Sequence, residues 1–250
     1  MGSTVCQAVA GDPDLELVAG VDPHHSGLEI SRVAGVPGID IPISPDPESF
    51  VEAKVDVAID FTGAVAAREN LRFLAQQGIH AVVGTTGFSA DDIEAFRKAF
   101  VKSNCLIAPN FAIGAILMMR FAAMAAPYFD TAEIIELHHD QKVDAPSGTA
   151  TLTAERMAAA SAKWGEDPTE DTVWEGARGA TGPAGIHVHS VRMRGMVAHQ
   201  EVILGTTGQT LTIRHDSIDR TSFMPGVLLG VKAVADHPGV TVGLEHYLSE

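Results

Sequence analysis

The stretch Glu136-Leu-His-His-Asp-Gln-Lys-Val-Asp-Ala-Pro-Ser-Gly-Thr-Ala150 holds two histidines, a lysine and three acids beside a Ser-Gly-Thr turn. His138 and Lys142 are of the residue types that carry protons in catalysis. Pro146 ends an extended segment, and Ser147 suits the N-cap of a helix that follows. A helix start leaves backbone N–H groups unpaired and carries partial positive charge, so it attracts an anion. Taken singly, the histidines could finish a strand, Lys142 could be solvated and Ser147 could only cap. Taken together, they describe a site that holds a carboxylate while moving a proton.

The elements that must position these residues follow from the pattern. Residues 132–137 read as a strand, and an Ala-rich helix begins at Thr149. Upstream, residues 3–10 read as a short helix and a turn falls at Gly11-Asp-Pro. Residues 15–21 read as a strand ending in Asp22, and residues 23–47 as mostly loop with an apolar stretch at 39–43. Strands are expected at 55–60, 80–83 and 105–108, and helices at 64–77, closed by Gly78, and after Ser89. Strictly alternating strands and helices, the strands short and without polar alternation, argue a Rossmann-like, doubly wound parallel sheet. Ligands of such sheets lie beyond the carboxyl ends of the strands. Asp22, Phe61-Thr62, Gly84-Thr85-Thr86 and Ala108-Pro109-Asn110 all fall at those ends and read as one rim.

The second half changes character. Residues 111–126 form the most apolar run, too short to span a bilayer and interrupted by Arg120, and read as a buried helix. After a polar loop at 165–185, strands are expected at 187–193, 199–204 and 209–215, the last two joined by a turn at 206–208. This is an α+β domain with a mainly antiparallel sheet. A helix at 223–236 and a strand at 240–244 return to the first domain. The expected organisation is residues 1–110 and 217–250 as a dinucleotide-binding domain and 111–216 as a substrate-binding and oligomerisation domain.

Composition excludes several classes. The formal charge, 17 minus 32 or −15, speaks against a nucleic-acid or anionic-membrane partner. An anionic substrate therefore needs a local positive pocket, which Lys142 and a helix start supply. Cys6 and Cys105, without a CxxC, suggest neither zinc nor a disulfide framework but reduced thiols in a cytoplasmic protein. His187 and His189 share a strand face and read as structural, so no metal site is expected.

A dinucleotide fingerprint opens with a strand and a glycine-rich turn, with an acid about 20 residues later. Gly2 fits the last glycine and Asp22 the acid, while the strand and first two glycines are absent from the sequence as it stands. If the sequence as it stands is the whole chain, that absence predicts weak cofactor binding and poor solubility.

With these residues in hand, the chain resembles the 4-hydroxy-tetrahydrodipicolinate reductase (dihydrodipicolinate reductase) family of lysine and diaminopimelate biosynthesis. The resemblance rests on the crossover above, Val83-Gly-Thr-Thr-Gly-Phe88, Ala108-Pro-Asn-Phe-Ala-Ile-Gly114, Arg214-His-Asp-Ser and Pro225-Gly-Val. It implies that His138 donates and accepts the proton and that Lys142 is a second donor. His139, Ser147, Gly148 and Thr149 would hold a cyclic dicarboxylate substrate. Gly2, Asp22, Phe61, Gly84, Thr85, Thr86, Ala108, Pro109, Asn110 and Phe111 would hold NADH or NADPH. The acid at Asp22 favours NADH, with His24 and His25 close enough to leave NADPH open. The resemblance also implies a homotetramer joined through the second domain. Two other readings stand beside it. A different nicotinamide-dependent reductase would share the rim but have no need of Lys142 four residues after His138. A cofactor-impaired or non-catalytic paralogue would fit the short N-terminus but not the retention of both His138 and Lys142.

Overall fold

The computed structural model describes residues 1–248; residues 249 and 250, the end of the segment expected to complete the first domain, lie outside the described residues. The chain forms two compact units, one made of Met1–Ile113 with the chain from Arg220 onward, the other of Gly114–Asp219.

In the first unit, α1 (Gly2–Gly11), α2 (Ile30–Ala34) and α3 (Ser49–Glu52) precede β1 (Val57–Asp60). The chain then alternates through α4 (Ala64–Gln77), β2 (His80–Val83), α5 (Ala90–Ala99) and β3 (Cys105–Ile107). Gly78 closes α4 in the left-handed conformation, φ 75°, a backbone state that glycine adopts without steric cost. Ser89 caps α5 through a reciprocal capping box with Asp92. Arg68 of α4 reaches the same Asp92 carboxylate at 2.9 Å, joining the two helices on one side of the sheet.

Chain order continues in the second unit with α6 (Ile113–Ala125), β4 (Thr131–His138), α7 (Gly148–Ala160), β5 (Ala180–Thr181), β6 (His187–Arg192), β7 (Ala198–Thr206) and β8 (Gln209–Ser217). It returns to the first unit as α8 (Met224–Ala233) and β9 (Val240–Val242). The first sheet has order β1-β2-β3-β9, with every pairing parallel. Helices cover its inner strands so that Ala81, Val82, Val83, Cys105 and Leu106 are inaccessible to solvent, which explains why these strands are continuously apolar. Phe96, Leu71 and Leu74 complete that core.

The second sheet has order β5-β6-β4-β7-β8. The β4–β6 pair is parallel and the other pairs are antiparallel. Along β4 the residues Ala132, Ile134 and Glu136 are buried, and the two-residue repeat carries His138 onto the same face. Gln200 of β7 donates to Thr153 of α7 at 2.8 Å, which seats α7 on that face. The β7–β8 hairpin turns at Thr207-Gly208, Gly208 taking φ 78°.

Two local expectations are corrected. Residues 15–20 form no strand: the segment touches the chain at 41–44 through a single bridge, Val21 with Ser44, and has no ladder partner among the described residues. The 23–47 region is not all loop. Ile30 and Ala34 of α2 bury a small apolar face with Val36 and Ile43, against which Cys6 of α1 packs.

Candidate active site

Glu136 is the centre of the crossover. Its side chain is wholly buried. One carboxylate oxygen accepts from His138 Nδ1 at 2.5 Å and from Arg192 Nη1 at 2.8 Å. The other accepts from Arg192 Nη2 at 2.8 Å and from the Ser147 backbone N–H at 3.2 Å. Strand register brings these groups together, since His138 of β4 lies opposite Arg192 of β6. Burial pushes the Glu136 carboxyl towards protonation, but hydrogen bonds from Arg192, Ser190 and His138 outweigh it and hold the group below its usual value. Glu136 is therefore a carboxylate and can only accept, so Nδ1 of His138 carries the hydrogen.

His138 in turn has its proton affinity lowered, chiefly by desolvation, with Glu136 pulling it back up and the charges of Lys142 and Arg192 pushing it down. Lys142 lies four residues on, in the turn between β4 and α7. Its ammonium is held by the Asp144 carboxylate at 2.7 and 2.8 Å. Arg192 also donates to the Asp144 carbonyl at 2.6 Å, tying the turn that carries Lys142 to the strand that carries His138.

Ser147 caps α7 as its residue type implies, its Oγ accepting from the Ala150 N–H at 3.2 Å. Its own backbone N–H is given to Glu136, so Ser147 cannot offer that amide to a substrate. The Gly148 and Thr149 amides open the helix, where the first N–H groups have no intrahelical partner. Gly148 is exposed, and a Cβ there would meet nothing within 4 Å. His139 is exposed. In the same unit, the His215 ring lies 2.5 Å from where a Cβ of Gly114 would stand, so glycine is required there.

The rim residues of the first unit share one edge, because Asp60, Val83 and Ile107 are in register at the strand ends. Buried Asp60 organises it, accepting from Thr62, from Asn70 Nδ2 and from Thr85 Oγ1, each at about 2.8–2.9 Å. Thr85, Ala108 and Phe111 are buried and build the rim, while Thr86 and Pro109 are exposed on it. Phe61 lies across Gly84, where a Cβ would stand 2.0 Å from its ring. Asn110 folds the exit of β3 by accepting from the Ala112 N–H. Asp22 accepts from the His24 N–H at 2.9 Å and pairs with His25 at 2.7 Å, which holds its carboxyl below the ordinary range. Gly2 opens α1, which packs on α2 and α8.

Sequence reasoning missed the roles of Glu136, Arg192 and Asp60. An acid two residues before a histidine on a strand with inward Ala132 and Ile134 is a legible sign of a buried partner. Arg192, 56 residues from Glu136, gives no such sign.

A parallel nucleotide-type sheet in one unit and, in the other, a crossover that carries an imidazole, a lysine and a capped helix start are the marks of the nicotinamide-dependent α/β oxidoreductases. The comparisons narrow it. "Dihydrodipicolinate reductase, N-terminus" matches residues 1–111 and "Dihydrodipicolinate reductase, C-terminus" matches residues 114–248. The chain is 51% identical to the 4-hydroxy-tetrahydrodipicolinate reductase of Mycobacterium marinum, over 100% of this chain and 95% of the relative. It is 49% identical to that of Corynebacterium aurimucosum, over 99% and 94%. A dipicolinate-bound dihydrodipicolinate reductase from Paenisporosarcina sp. TG-14 superposes with a TM-score of 0.86 at 40% identity, covering 99% of this chain and 95% of that one. The chain belongs to the dihydrodipicolinate reductase family.

Proposed function

We propose that this chain reduces 4-hydroxy-2,3,4,5-tetrahydrodipicolinate to tetrahydrodipicolinate in lysine and diaminopimelate biosynthesis. In sum, one hydride and one proton enter and one water leaves. What carries the reading is the crossover: an imidazole oriented by a buried carboxylate, an ammonium acting on it, and two open helix amides following in sequence.

The rim fits a nicotinamide dinucleotide, since Gly84 permits close packing at the end of β2 and Thr86 and Pro109 present accessible groups there. When bound, the cofactor supplies the hydride. The chain's own residues do the rest. Gly148 and Thr149 hold a substrate carboxylate through their N–H groups, aided by the positive end of α7. Lys142 exchanges its Asp144 partner for that carboxylate and adds charge. His138 delivers the proton from Nε2, and its Nδ1–H stays on Glu136 before and after. His139 contacts the ring from the exposed side. The planar dicarboxylate named in the Paenisporosarcina structure has the charge and size this arrangement calls for.

The ionised Asp22 suits a free ribose hydroxyl and repels a phosphate, so NADH is the preferred cofactor. His25 beside it offsets part of that repulsion, and NADPH is the second cofactor. Loss of cofactor absorbance with freshly generated substrate, run in parallel with NADH and NADPH, tests the proposal. Turnover with the larger kcat/KM for NADH is expected; no turnover with either would refute it.

The chain also forms a homotetramer through the sheet face of the second unit that carries Ile135, Leu137, Val191 and Ile203, all half-exposed on the side opposite Glu136. Among the described residues no helix is long and apolar enough to cross a membrane, and both cysteines are free.

A further inference from the structure

We propose that Glu136 and Arg192 are a positioning pair for the proton transfer. Glu136 fixes neutral His138 as the Nδ1–H tautomer with Nε2 as the exchanging nitrogen, and Arg192 locks Glu136 to the turn that carries Lys142. The inference rests on the proton-transfer role given to His138 above.

Three observations carry it. First, Glu136 has no exposed surface yet accepts two hydrogen bonds from Arg192, one from His138 and one from the start of α7, with Ser190 a further donor. A carboxylate so enclosed has one alignment, and a 2.5 Å contact from Nδ1 leaves the imidazole one orientation. Second, the same guanidinium reaches the Asp144 carbonyl at 2.6 Å, two residues after Lys142. One buried pair thus connects the imidazole, the turn bearing the ammonium and the helix start that awaits the anion. Third, the charged groups facing His138 are Glu136 on its own strand, Lys142 on the following turn and Arg192 on β6, while β7 presents Ala198 opposite it. Glu136 is the only one of these that favours the imidazolium.

An imidazole free to flip or change tautomer would for part of the time turn Nε2 away or make Nδ1 the nitrogen that takes up the proton. The Nδ1–H···carboxylate contact prevents this while taking no part in bond making. Glu136 is accordingly a positioning residue.

The test reads the His138 tautomer in the full-length protein by side-chain nitrogen NMR, above its titration, with and without dipicolinate. Wild type should show Nδ1–H. Glu136→Gln should give a mixed population, lower kcat about 100-fold and change KM much less. Because Glu136→Gln strands a buried guanidinium, the pair Glu136→Gln with Arg192→Met serves as a second variant in which neither charge is left alone. It too should lose about 100-fold in kcat, with the alkaline limb of its pH profile, where His138 gives up its proton, moved to lower pH. Glu136→Asp should recover part of the rate. An Nε2–H tautomer in wild type, or a double variant turning over as wild type does, would overturn the proposal. Wild type that shows Nδ1–H but reduces no substrate would sink the reading of the substrate while upholding the positioning.

Discussion

At the scale of single residues the proposal turns on an imidazole whose Nδ1 lies on Glu136 and whose Nε2 is left to exchange the proton. Replacing His138 by Ala should lower kcat about 100-fold or more while cofactor affinity, measured by titration, stays within a few-fold. Lys142→Ala should raise KM for the substrate more than it lowers kcat, because its charge serves the carboxylate. The imidazole should titrate below the ordinary histidine value of about 6.5, since desolvation dominates, and should move upward when the anionic dicarboxylate binds. An NMR titration of His138 with and without dipicolinate checks both directions. His138, Lys142 and the Ser147 cap were legible because each residue type is uncommon in that spacing and acts locally. Arg192 was not, because only the β4–β6 register brings it to Glu136.

At the scale of elements, α7 is the part whose placement serves binding. Ser147→Ala removes the cap and should cost about 1 kcal/mol of stability, seen as a lower Tm, together with weaker dipicolinate binding in a calorimetric titration. Gly84 is the corresponding point of the first unit. An alanine there must displace the Phe61 ring, costing about 1–3 kcal/mol and weakening cofactor binding with the dicarboxylate site left intact. Most elements could be read directly. The run at 64–77, closed by Gly78, became α4, and the box from Ser89 to Asp92 became the start of α5. Residues 15–21 failed because apolar content shows only that a segment can extend; a strand needs hydrogen-bonding neighbours along its length, and those come from elsewhere in the chain. The short helix α2 was missed because Gly35 and Gly38 around it are turn signals, whereas burial of Ile30 and Ala34 decides the helix.

At the scale of the whole molecule, histidines desolvated on folding shape the pH behaviour. His138 and His215 both have folded values lowered chiefly by burial. The unfolded chain therefore binds more protons than the folded one below about 6.5, so stability is fully present above that pH and is lost as pH falls through the folded values. Thermal melts from about pH 8 to about pH 5 should show this decline, and His138→Gln should flatten part of it. The half-exposed face with Ile135, Leu137, Val191 and Ile203 should be covered by other copies. Light scattering should give four chains per particle, and Ile203→Glu should reduce that number.

The most direct measurement is steady-state cofactor oxidation by the full chain on freshly generated 4-hydroxy-tetrahydrodipicolinate, with wild type beside His138→Gln. Wild type should consume cofactor and substrate in equal amounts, while His138→Gln should be slowed at least about 100-fold with dipicolinate still bound. A His138→Gln protein that turns over at the wild-type rate would contradict the account.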